Sequence, residues 1–82
     1  MNEHHSNRVI INVERKNDAR KTFVRTIPDS INKQNFIGDL VDEYYYLMNE
    51  DQDRSIMFYD DVDGSIFICK RSDVLSIEIS RS

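Results

Sequence analysis

One stripe of apolar residues constrains this chain more than any other feature. Phe36, Ile37, Leu40, Val41, Tyr44, Leu47 and Met48 recur at the spacing of a single helical face. At about 100° per residue they fall within an arc of about 140°, the width of a core-facing stripe. Asp39, Asp42, Glu43 and Asn49 lie outside it. The pattern predicts one amphipathic helix over residues 33–49, whose apolar side must be covered by another element. Pro28 ends whatever precedes it, and Ser30 or Asn32 is placed to cap the first turn with a side-chain oxygen.

The flanking segments carry the period of strands. In residues 8–14, Val9, Ile11 and Val13 fall on one face of an alternating strand pattern, and residues 22–27 read as a second strand. The charged stretch 15–21 between them, with Asn17-Asp18, reads as a hairpin connection. After the helix, Asn49 to Arg54 reads as a polar loop. Ile56 and Phe58 then share one strand face, with Met57 and Tyr59 on the other. Asp60-Asp61-Val62-Asp63-Gly64 reads as a turn, residues 65–70 resume a strand, and Leu75, Ile77 and Ile79 alternate through a last one. The expected fold class is α+β in the order ββαβββ, one helix packed on a mainly antiparallel sheet. Residues 1–7 are expected as a flexible N-terminal tail and 8–80 as a single domain.

Length and composition agree with that economy. A chain of 82 residues has room for one core and buries only roughly 60–65% of its unfolded surface. Its apolar fraction is 39%, but those residues are mostly Ile, Val, Phe and Tyr, which suit strands and argue against global disorder. No stretch approaches the roughly 20 apolar residues needed to span a bilayer, and Met1 to Asn7 lacks the apolar core of a secretory signal. A lone cysteine, Cys69, excludes an internal disulfide and sits in an apolar run that suits a buried structural thiol. A cytoplasmic setting is the default expectation.

Charge is divided along the chain. Residues 1–35 hold seven basic and four acidic side chains, whereas residues 36–82 hold four basic and eleven acidic ones. Such a division can steer charged partners.

Motifs for catalysis or metal binding fail on inspection. If Gly64 is the glycine of a calcium loop, the first ligand position falls on Tyr59 and the last on Lys70, neither of which supplies a carboxylate. His4 and His5 sit in the tail with no matching Cys/His spacing. With Gly38 and Gly64 the only glycines, there is no phosphate-cradling loop, and no nucleophile elbow is present. No enzyme activity, cofactor or metal is expected. Tyr46, within Tyr44-Tyr45-Tyr46, points away from the helical stripe, and exposed aromatics are enriched where proteins meet partners.

The element order resembles the β-grasp, or ubiquitin-like, architecture, and in detail it looks like a PB1 interaction domain. Arg20-Lys21-Thr22-Phe23 stands where that family's second basic strand begins, and Tyr59-Asp60-Asp61-Val62-Asp63-Gly64-Ser65 resembles the start of its acidic motif, followed by Leu75. The first-strand lysine of the family is missing, Ser65 replaces an acid, and Lys70-Arg71 places positive charge in the acidic segment. The resemblance implies head-to-tail pairing of a basic face with an acidic one.

These observations point to a small non-catalytic protein-interaction or regulatory module. It would bind a protein partner, or a second copy of itself, through charged surfaces. The candidate contact residues are Arg15, Lys16, Arg20, Lys21, Tyr46, Asp60, Asp61 and Asp63. One alternative is a nucleic-acid-binding regulator using the basic 15–21 hairpin. Another is an acidic inhibitor that mimics nucleic-acid charge, and the Ile- and Asn-rich composition is compatible with a bacterial or phage gene.

Overall fold

The computed structural model describes residues 7–81. Strand β1 (Arg8–Arg15) turns at Lys16-Asn17 into β2 (Asp18–Thr26), and helix α1 (Lys33–Met48) follows. Strands β3 (Ser55–Tyr59) and β4 (Ile66–Lys70) form a second hairpin. A short 3-10 turn over Arg71–Asp73 leads into β5 (Val74–Arg81). The element order is the expected ββαβββ.

The strands form two sheets. β1 lies between β2 and β5, antiparallel to both, while β3 and β4 pair only with each other. β1 takes the centre because its alternation is the strongest: Val9, Ile11 and Val13 are all fully buried on one face.

Both hairpins and the helix meet in one core. Ile56 and Phe58 point inward from β3, as the alternation predicts. Phe58 is stacked between Phe23 of β2 at 5.2 Å and Tyr44 of α1 at 5.4 Å, and Phe23 also stacks on Phe67 of β4 at 6.0 Å. Leu40 and Tyr44 are the buried residues of the helical stripe, with Phe36, Ile37, Leu47 and Met48 packed around them. Val41, at the edge of the stripe, stays 45% exposed.

The helix ends are held by different means. Asn32 is the N-cap, its Oδ1 accepting the Asn35 N–H at 3.1 Å. The last turn of α1 carries no basic residue to offset the helix dipole. Arg71 supplies that charge from the 3-10 turn, where its Nη1 donates to the Met48 carbonyl and its Nε to that of Gln52, both at 3.3 Å.

Three expectations are corrected in detail. The 15–21 stretch is not a loop, because the strands run to Arg15 and from Asp18, leaving a turn at Lys16-Asn17. Leu75 does not share a face with Ile77 and Ile79. Glu14 pairs with Ser76 but Arg15 with Val74, so Leu75 is an extra, bulged residue, 55% exposed, and Val74 enters the core in its place. Asn7, assigned to the tail, joins the fold, its carbonyl accepting the Ile27 N–H at 2.6 Å. His4 and His5 lie outside the described residues.

Candidate interaction surface

The acidic turn is folded onto its own protein. Asp60 is only 9% exposed. Its Oδ1 accepts the N–H groups of Val62 at 2.9 Å and Asp63 at 3.1 Å, closing the turn, and its Oδ2 accepts the N–H of Val24 at 3.0 Å. Asp61 continues the same contact. Its Oδ2 accepts the Thr26 N–H at 2.7 Å, its Oδ1 the Thr26 hydroxyl at 2.9 Å, and its own N–H donates to the Val24 carbonyl at 3.0 Å. These are the backbone groups that β2 turns away from β1, so the turn satisfies the edge of β2 as another strand would. Backbone donation from Asp63 chiefly, aided by Val24 and Val62, holds the Asp60 carboxyl below its ordinary range, against the opposing effect of burial. Gly64, at φ +77°, provides the left-handed residue the turn needs. Of the three candidate aspartates, Asp63 alone is largely exposed, and its Oδ1 accepts the Ser65 N–H.

The basic candidates stay nearer the surface, although some of them rest on their own protein. Arg15 and Lys21 both lie over the Phe67 ring, at 4.8 and 5.0 Å. Arg20 lines a polar hollow of about 330 Å³ with Asn12, Glu14, Ser76 and Glu78, so its charge stands beside two carboxylates. Lys16 is exposed at the turn. Arg25, from the basic half, lies between the rings of Phe36 and Tyr59 at 5.8 and 5.6 Å, with its Nε 3.9 Å from Asp61. The linear division of charge is thus partly neutralised in space. Tyr46 stands on α1, 65% exposed, and no hydrogen bond or ring contact among the described residues joins it to the acidic turn.

What the fold leaves open is apolar. On the outer face of the β3–β4 hairpin, Met57 pairs with Ile68 and Tyr59 with Ile66. These side chains are 57, 61, 36 and 59% exposed. Four large cross-strand neighbours make a contiguous ladder rather than scattered single residues, and contiguous patches are what mark contact surfaces. The sequence held a signal for this site: both faces of 56–59 are apolar, yet only one helix was available to cover them.

A second opening is a groove of about 270 Å³ between α1 and β5, lined by Val41, Tyr44, Tyr45, Met48, Ile77 and Ile79. Cys69 is half-buried, and burial pushes its thiol above the ordinary 9.0, with Arg15 opposing and Asp73 reinforcing the shift. A raised thiol pKa is the reverse of what a nucleophile needs. Among the described residues no group of three or more His, Cys, Asp or Glu is placed to hold a metal ion. No helix among them is long and apolar enough to cross a membrane.

Comparison with known proteins finds no match to a family model, a curated protein or a solved structure.

Proposed function

We propose that this domain is a non-catalytic protein-interaction module whose contact surface is the apolar ladder Met57, Tyr59, Ile66 and Ile68. The observation that carries this reading is that two neighbouring cross-strand pairs on the outer face of the β3–β4 hairpin are apolar, with Met57, Ile66 and Ile68 more than half exposed. Exposed sheet faces are ordinarily polar, and a contiguous apolar face gains most when it is covered by a partner. The charged candidates contribute less, because Asp60 and Asp61 already accept backbone hydrogen bonds and Arg15 and Lys21 lie against Phe67. Asp63, Lys70 and Ser65 flank the ladder as the polar rim that gives a contact its orientation.

The test is capture of a protein partner by the wild-type chain and by two variants, Met57→Lys/Ile68→Lys and Asp63→Arg. A partner held by the wild type and by Asp63→Arg, but released by the ladder variant, supports the reading. Release by Asp63→Arg alone moves the contact to the acidic turn and overturns it.

A further inference from the structure

The two lateral strands of the three-stranded sheet are finished differently. The outward groups of β2 at Val24 and Thr26 are taken up by Asp60 and Asp61. β5 pairs with β1 alone, and no further backbone hydrogen bond among the described residues reaches its far side. The register tells which of its groups face out. Val24 and Thr26 turn their amides away from β1, so their partners Ile10 and Arg8 turn theirs toward β5. Ser80 and Glu78, opposite Ile10 and Asn12, therefore bond to β1. The amides and carbonyls of Ile77, Ile79 and Arg81 point outward, a row that templates a further strand.

We propose that the occupant is a second copy of this chain, its β5 antiparallel to the first across a two-fold axis at Ile77. The proposal is independent of the β3–β4 ladder, which lies on a different sheet. In this register Ile77 faces Ile77 of the copy as a hydrogen-bonded pair, and Glu78 faces Ser76. Arg81 of each chain comes to the same end of the overlap as Asp73 of the other, so the charges are complementary. Centring the axis on Glu78 would set carboxylate against carboxylate. Centring it on Ile79 would shorten the overlap and set Ile77 against Arg81. Charge matching and the length of the overlap therefore select the Ile77 axis, which joins two three-stranded sheets into one. The groove beside β5 lies on the same rim, and its exposed Val41 and Tyr45 would face the equivalent groove of the copy. A symmetric contact of this kind closes as a dimer.

Sedimentation and site-directed crosslinking test this. The wild-type chain is expected at twice its 9.7 kDa mass at high micromolar concentration. Non-hydrogen-bonded pairs bring side chains closest, so a Cys69→Ala/Ser76→Cys/Glu78→Cys variant is expected to form a covalent dimer on mild oxidation, whereas Cys69→Ala/Glu78→Cys is not. Amide exchange of the wild type needs no substitution: Ile77 and Ile79 should gain protection as concentration rises, while Glu78 and Ser80 stay protected throughout. A monomer at high concentration, or a dimer with Ile77 and Ile79 unprotected, overturns the proposal. So does a dimer abolished by Met57→Lys/Ile68→Lys, which would place self-association on the ladder.

Discussion

Asp60 Oδ2 accepts the backbone N–H of Val24 at 3.0 Å, joining the β3–β4 turn to the edge of β2 across 36 positions of sequence. The same carboxylate closes its own turn through Val62 and Asp63, so both oxygens are committed. In Asp60→Asn one oxygen becomes an NH2 group, which must face an N–H donor whichever way the amide is turned. The expected outcome is a lower urea midpoint with an unchanged slope, and faster exchange at the Val24 amide. Retention of wild-type protection at Val24 would show that the turn and β2 hold together without this carboxylate.

The same bonds set a pH dependence. Asp60, and Asp53 through donation from the Ser72 N–H and hydroxyl, both ionise below the ordinary 3.8 in the folded chain. The unfolded chain therefore binds more protons in the acidic range, and stability rises with pH there. It is fully present above about pH 5 and is lost as pH falls through the depressed values of the folded state. Asp60→Asn should flatten the acid limb of a stability-against-pH curve measured by urea titration. An acid limb of equal steepness in the variant would contradict the assignment.

The helix and the inward strand faces were legible because each rests on local periodicity. Phe36 to Met48 repeats one face over several turns, and Val9, Ile11 and Val13 alternate without interruption. Asp60 was not legible in the same way. Asp suits a turn whether its carboxylate meets water or Val24, and nothing local distinguishes the two. Leu75 was misplaced because a bulge adds one residue to one strand only, and that is settled by pairing with Glu14 and Arg15, far away in sequence. The ladder was half legible: alternation puts Met57 and Tyr59 opposite Ile56 and Phe58, but which face is covered depends on where the helix lands.

That contrast between the two faces of the hairpin is measurable. Phe58 is fully buried between two rings, so Phe58→Ala should cost about 3–5 kcal/mol through lost burial and a cavity. Ile68 is 61% exposed, and Ile68→Ser should stay within about 0.5 kcal/mol. Urea unfolding of both variants checks the pair. A cost for Ile68→Ser comparable to that for Phe58→Ala would mean the ladder is covered in the folded protein.

Arg71 ties the end of the helix to the start of β5. Its side chain reaches the carbonyls of Met48 and Gln52, its N–H donates to the Arg54 carbonyl at 2.7 Å, and the adjoining Ser72 binds Asp53. Because α1 lacks a base in its last turn, this borrowed guanidinium is what meets the negative end of the helix dipole. Arg71→Ala should lower stability by about 0.5–1.5 kcal/mol, and fraying should appear as faster amide exchange in the last helical turn. Arg71→Lys keeps the charge but has no planar fork to reach two carbonyls together, so it should recover the dipole contribution and not the full protection. Equal exchange rates in Arg71→Lys and the wild type would reduce the role of Arg71 to charge alone.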